Sequence, residues 1–270
     1  MQNGYYQVTG AMMTQFQQLD ITANNLANVN TQGFKRDSLI IGDFERLYQQ
    51  KRDELELKNH TKEAAKFFNR TINRVPRVVE EHTDFSEGSI RRTDNTLDIA
   101  LMQRDLFFAV LTPDGIKLTQ QSSFKLDPDG KLVSSDGYKV LPKNFLTTTN
   151  KDITINSKDG KISINENGEI FQNNHKIADI FIGRVKNLNE LKKSGDKLYT
   201  LDGIEDKLTK VDSGNLVRQG YIQMSNVNAI KEMTSLIETN RLVEMYQKVM
   251  TSHMDDLNKD AITKLASTRA

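Results

Sequence analysis

The chain has 270 residues, 37% of them hydrophobic and 27% charged, with 37 basic against 36 acidic residues and a formal net charge of +1. Such a length can bury a sizeable core in one large or two ordinary domains, and the near-neutral balance gives no field that would steer the protein to nucleic acid or an anionic membrane. Cysteine is absent, which excludes disulfides, thiolate nucleophiles, cysteine zinc sites and iron–sulfur clusters.

The first thirty residues hold no basic region followed by a continuous apolar stretch, because Gln2, Asn3, Gln7, Thr9, Gln15, Gln17, Gln18 and Asp20 interrupt every candidate. A Sec-type signal is therefore not expected. No apolar run reaches the roughly twenty residues that span a bilayer. Instead Tyr5, Met12, Leu19 and Leu26 recur at seven-residue spacing, with Val8, Phe16 and Ala23 on or beside the same stripe. This predicts a helix with one apolar seam. The stretch Ala23-Asn24-Asn25-Leu26-Ala27-Asn28-Val29-Asn30-Thr31-Gln32-Gly33-Phe34 ends it, since Asn and Gly tolerate the left-handed conformation that helix C-termini use. Phe34 would pack the chain back after the turn.

The segment from Tyr48 to Arg74 is highly charged and shows little periodicity before Phe67 and Phe68, so residues 48–75 read as a connector. From Pro76 to Gln219 the chain is punctuated by Pro113-Asp114-Gly115, Asp127-Pro128-Asp129-Gly130, Asp136-Gly137, Asp159-Gly160 and Asn167-Gly168. These are turn sequences, and short strands such as Lys161 to Ile164 and Lys176 to Val185 flank them. The middle is predicted to be a β-domain.

Toward the C-terminus Ala229, Leu236, Val243, Met250 and Leu257 stand seven apart, Met233, Met254 and Ala261 fill the alternating positions, and Asn240 and Gln247 are polar breaks. Heptad spacing held this long predicts a long helix in a coiled-coil-like contact, with Ser225 or Asn226 as its N-cap. The seam admits two readings, a partner on another molecule or an internal two-helix hairpin. The fold class that follows is α+β: long terminal helices with an inserted, mostly antiparallel β-domain. The predicted segments are 1–47 (helical), 48–75 (connector), 76–219 (β-rich) and 220–270 (helical).

Catalytic signals are weak. His60, His82, His175 and His253 lie in separate segments without paired ligand spacing. Asp127-x-Asp129-Gly130 opens like a calcium loop, but its twelfth position is Tyr138 where a bidentate Glu is needed, so a hairpin turn is the better reading. No Gly-x-Ser-x-Gly elbow, phosphate loop or dinucleotide fingerprint is present. Asp94, Asp98 and Asp105 could form an acid–base pair, though scattered acids more often cap turns or face water. No cofactor or metal is expected.

The run Ala23 to Lys35 closely resembles the N-terminal motif of the flagellar rod and hook family. Gln219-Gly220-Tyr221-Ile222-Gln223-Met224-Ser225-Asn226-Val227-Asn228 resembles that family's entry into its C-terminal helix. Leu97-Asp98-Ile99-Ala100, Asp105-Leu106-Phe107-Phe108-Ala109-Val110 and Thr112-Pro113-Asp114-Gly115 are similar to its middle-domain signature. Two departures are visible: Met102-Gln103-Arg104-Asp105-Leu106 stands where the family often writes Gly-x-Gly, and the charged 48–74 stretch matches nothing. The resemblance implies a structural, non-enzymatic subunit of the basal-body rod, of proximal- or distal-rod type. It implies that the terminal helices pack as an inner assembly module around the β-domain and line a hollow tube that transmits torque and passes exported subunits. The partners implied are the chain itself, other rod and hook proteins and the flagellar export apparatus, with no nucleic acid and no membrane span. The residues it assigns to the motif are Asn24, Asn25, Leu26, Ala27, Asn28, Gly33, Phe34, Ser225, Asn226 and Val227. The subunit interface is expected at Tyr5, Met12, Leu19, Leu26, Met233, Leu236, Asn240, Val243, Gln247, Met250, Met254 and Leu257. The alternatives are a peptidoglycan-acting enzyme and a scaffold that does not polymerise.

Overall fold

The structure, a computed structural model, describes residues 2–43, 76–145, 152–156, 160–195, 197–201, 203, 207–211 and 214–267. The charged connector, residues 48–75, lies outside the described residues. The chain divides into two compact units, one of residues 1–26, 37–82 and 229–270, the other of residues 27–36 and 83–228.

The first unit holds helix α1 (Gln2–Ala27), strands β1 (Asp37–Asp43) and β2 (Pro76–Thr83), which pair as a two-stranded ribbon, and the 39-residue helix α2 (Ala229–Ser267). Residues from both ends of the sequence thus share one unit. Helix α1 stops where the sequence predicts: Thr31 N donates to Asn28 O, Gly33 takes a positive φ of 70°, and Phe34 is fully buried. Helix α2 starts later than expected. Neither Ser225 nor Asn226 caps it, because the Ser225 hydroxyl already accepts from Val227 N and the Asn226 side chain is bonded to residues 36, 84 and 86.

The second unit carries β3 (Ile90–Arg92), β4 (Ile99–Leu101), β5 (Leu106–Thr112), β6 (Gly115–Thr119), β7 (Phe124–Leu126), β8 (Leu132–Ser134) and β9 (Lys139–Val140). It continues with β10 (Ile162–Ile164), β11 (Glu169–Gln172), β12 (His175–Asp179), β13 (Ile182–Val185), β14 (Lys192–Lys193), β15 (Leu198–Thr200), β16 (Leu208–Lys210), β17 (Val217–Gln219) and β18 (Tyr221–Gln223). Pairing between the assigned strands is antiparallel, as predicted. The main sheet runs β14-β15-β6-β5-β9-β8-β7, with β13 bridging β5 and β16.

Strand β5 explains why this unit has a core. Its run Leu106-Phe107-Phe108-Ala109-Val110 is buried without alternation, the mark of a strand covered on both faces. Leu106, Phe108 and Val110 join one cluster with Phe124, Ile170 and Ile182, whereas Phe107 and Ala109 join another with Phe85, Leu118 and Tyr199. The turns at Asp114-Gly115, Asp127 to Gly130, Asp136-Gly137 and Asn167-Gly168 fall where expected, and Asp159 lies outside the described residues. Thr112 faces Gly115 across the β5–β6 hairpin, and Gly130 N donates to Asp127 O at 2.8 Å between β7 and β8, so the supposed calcium loop is a hairpin turn. The stretch Lys176 to Val185 departs from expectation. It splits into β12 and β13, because the chain leaves the β10-β11-β12 sheet and joins β5 after Ile180 N bonds Gly168 O and Phe181 N bonds Leu141 O.

Candidate assembly surface and two asparagine latches

In the first unit the motif residue Asn25 makes a three-way connection. Its Oδ1 accepts from Asp37 N at 2.9 Å, and its Nδ2 donates to Asp37 O at 2.8 Å and to Glu232 Oε2 at 3.4 Å. One side chain thus satisfies a strand's backbone at both polar atoms and reaches α2. Its neighbours on the inward face are also small or polar: Ala11, Thr14 and Thr22 of α1 are buried, as are Glu232 and Thr239 of α2 with Val243. Thr14, Thr22 and Thr239 turn their hydroxyls onto the carbonyl four residues back, which removes the cost of an unpaired buried donor.

Many of the large apolar side chains of this unit are exposed. Ile230, Met233, Ile237 and Met245 are half or more exposed, and Val249 and Met254 are exposed with them. On α1 Met13 and Phe16 are exposed, and on the β1–β2 ribbon so are Ile40, Ile41 and Val79. Among the described residues the exposed large apolar side chains outside this unit are Ile90 and Ile177. Isolated exposed apolar residues are ordinary, but a concentration of them on one element marks a contact surface.

The residues expected at the interface are distributed over both faces. Met12, Leu19, Leu26, Leu236 and Met250 are half-buried, Val243 is buried, and Met233, Asn240, Gln247 and Met254 are exposed. Tyr5 and Leu257 belong to α1 and α2, and their side chains lie outside the described residues. The seam at Leu236 and Val243 is the partly covered one. Ile237, one position after Leu236, and Ile230, seven residues earlier than Ile237, lie among the most exposed.

The second motif is built into the β-unit around Asn226. Its Oδ1 accepts from Arg36 N at 2.8 Å, and its Nδ2 donates to Asp84 O at 2.7 Å and Ser86 Oγ at 2.9 Å. Next to it Lys35 is fully buried, with Nζ donating to Ser86 O at 2.9 Å and to Gln223 Oε1 at 3.4 Å. Burial lowers its pKa to about 8, against the opposing pull of the Glu87 and Asp84 carboxylates. Phe34 is covered by Lys193, whose Nζ lies 4.2 Å from the ring centroid. A Cβ on Gly33 would sit 2.7 Å from Gln120 O, so this position needs glycine for space as well as for its φ. Of the other motif residues, Asn28 Oδ1 accepts from Thr31 Oγ1, Val227 is buried, and Asn24 and Ala27 are exposed. Lys35, Gln223 and Glu232 carry no local sequence pattern that marks these roles. Their roles depend on partners far away along the chain, and only the buried polar character of Lys35 and Glu232 could have hinted at them.

The acids once considered for catalysis are committed elsewhere. Asp98 accepts from Thr93 Oγ1 at 2.6 Å, Ser123 Oγ at 2.8 Å and Asn95 Nδ2 at 3.1 Å, and so organises the turn before β4. Asp94 pairs with Arg92, and Asp105 with Arg184 at 2.8 Å. His82 and His175 are exposed, His253 is half-buried, and His60 lies outside the described residues. Among the described residues no group of His, Cys, Asp and Glu could hold a metal ion.

Comparison with known proteins places this geometry. The chain matches the family described as flagella basal body rod protein over residues 6–35, the flagellar hook protein FlgE/F/G D1 domain over 102–172, and the flagellar basal body rod FlgEFG protein C-terminal family over 218–263. It is 31% identical over 245 residues to the flagellar basal-body rod protein FlgG of Agrobacterium fabrum, covering 87% of this chain and 88% of the relative. The chain belongs to the flagellar basal-body rod protein family. It is also 29% identical over 269 residues to FlgF of Caulobacter vibrioides, covering 98% of each, and 29% identical over 251 residues to FlgG of Buchnera aphidicola subsp. Schizaphis graminum, covering 89% of this chain and 92% of the relative. Relatives named FlgG and FlgF are structural proteins of the flagellum, so this rod-family chain is a structural component and not an enzyme. The N-terminal match ends at Lys35 and the C-terminal match begins at Arg218, so both latches lie inside or beside matched segments. No described helix is long and apolar enough to cross a membrane.

Proposed function

We propose that this rod-family protein polymerises through its terminal helices into a hollow axial tube that transmits torque and passes exported subunits. The carrying observation is the inverted character of α1 and α2, whose buried positions include Thr14, Thr22, Asn25, Glu232 and Thr239 while Ile230, Met233, Ile237 and Met245 are exposed. A helical element with polar groups inside and apolar groups outside gains its hydrophobic stabilisation from a neighbour. A second copy supplies that neighbour, because a heterologous contact whose rotation does not close builds a helical filament. In this reading residues 1–47 and 220–270 are the assembly segments, 48–75 the connector and 76–219 the β-domain. Of the sequence-predicted interface set, Met233, Asn240, Gln247 and Met254 are exposed together with this stripe. Other rod and hook proteins are the adjoining partners, and the flagellar export apparatus delivers the chain to a periplasmic rod.

Sedimentation velocity over a range of concentrations tests this, with the full chain beside one lacking residues 229–270. Growth of large species with concentration in the first and a constant sedimentation coefficient in the second is the expected pair of results. A full chain that remains monomeric at every concentration, or a shortened chain that assembles equally well, would remove the proposal.

A further inference from the structure

The last segment of the β-unit in chain order, residues 216–226, pairs with its earliest strands. Strand β17 pairs with β4, Arg218 opposite Ala100, and β18 pairs with β3, Ile222 opposite Arg91. Among the described residues β3 and β4 have no other strand partner. Between the two strands Gly220, at φ 78°, donates from N to Asp98 O at 2.7 Å and accepts at O from Thr93 N at 2.9 Å. Gln219 reaches in the other direction: Nε2 donates to Thr96 O at 2.8 Å and Ile162 O at 3.2 Å, and Oε1 accepts from Ile164 N at 3.1 Å. Leu216 N donates to Glu166 O at 3.0 Å, and Gln223 O accepts from Gly33 N at 3.0 Å. Leu216 and Val217 lie in the same core cluster as Phe108 and Val110 of β5, and Ile222 is fully buried.

Before this segment arrives, β3 and β4 lack their strand partners, although Ile99 N keeps its bond to Ser122 O, and the buried β4 residues Ile99 and Leu101 lack part of their cover, a state that buried backbone groups do not tolerate. Bringing 216–226 back to residues more than a hundred positions earlier costs loop-closure entropy that only these contacts offset. We infer that residues 216–226 are the closing latch of the β-unit, which stays open until they dock, so that a chain arriving N-terminus first folds only once nearly all of its length is free. The inference rests on the fold of the β-unit alone and does not depend on the assembly reading.

Native-state hydrogen exchange on the intact chain in low urea tests it by comparing amides of the latch, 216–226, with those of β5, 106–112. One shared opening predicts protection within about threefold between the two regions and the same urea slope. Gly220→Val, which puts a Cβ on a left-handed φ, and Asn226→Ala should each lower protection in both regions by the same factor. Exchange of the wild-type latch through a smaller opening while β5 stays protected would overturn the inference. So would a variant that loosens 216–226 and leaves 106–112 unchanged. The wild-type comparison stands even where a variant does not fold.

Discussion

Asn25 and Glu232 are 207 positions apart in sequence, yet Asn25 Nδ2 donates to Glu232 Oε2 at 3.4 Å inside the helical unit, with each residue 1% exposed. A buried amide that also closes two hydrogen bonds on Asp37 has no spare polar atom to lose. Asn25→Ala should therefore destabilise this unit by about 1–3 kcal/mol. The check is exchange at the Asp37 amide, whose protection should fall by about five- to a hundredfold while amides of β5 keep theirs.

Lys35 makes stability depend on pH in a defined direction. Its ordinary value is 10.5 and burial lowers the folded value to about 8. Between these values the unfolded chain holds a proton that the folded chain has released, so the contribution of Lys35 rises with pH from about 8 to about 10.5 and is flat on either side. The gap limits the gain to about 3 kcal/mol. Urea midpoints for the wild type minus those of Lys35→Met, measured from pH 7 to 10.5, should show that rise. A difference that is constant or falling across the interval would contradict the assignment.

Asp98 has a structural role in the turn before β4. Asp98→Ala leaves three donors, on Thr93, Asn95 and Ser123, without their acceptor and should cost about 1–3 kcal/mol in the β-unit. His175→Gln, at an exposed position of β12, should change stability by less than about 0.5 kcal/mol. Motility should follow these stabilities. A stably folded, normally assembled Asp98→Asn chain that lost motility would point to a role beyond the turn.

Phe108 marks the centre of the β-unit, fully buried and edge-on to Phe124 with ring centroids 5.1 Å apart. Phe108→Ala should destabilise the unit by about 3–5 kcal/mol, read as a lower urea midpoint. A loss below about 1 kcal/mol would mean that the site collapses around the cavity.

Much of this fold was legible because its signals are local. Gly33 and Phe34 announce the end of α1, the Asp114-Gly115 and Asp127 to Gly130 turns announce hairpins, and the heptads announce α2. Features that depend on distant partners were not legible. Nothing between Lys176 and Val185 signals a change of sheet, since Gly168 and Leu141 supply the partners that divide β12 from β13. Apolar periodicity likewise singled out Leu236 and Val243, whereas the buried Glu232 and Thr239 are invisible to a template that counts only apolar residues. Ile230 and Ile237, each two positions before one of these buried polar residues, are exposed.

The central claim is that the exposed face of α2 is covered by another copy in the assembled rod. The chain contains no cysteine, so Met245→Cys and, separately, Ile177→Cys on β12 each provide a single reporter thiol. Maleimide labelling rates should be compared in the free chain and in isolated rods that contain each variant. The account predicts that both thiols react in the free chain and that assembly strongly slows labelling at position 245. Rods in which position 245 reacts as fast as it does in the free chain would contradict it.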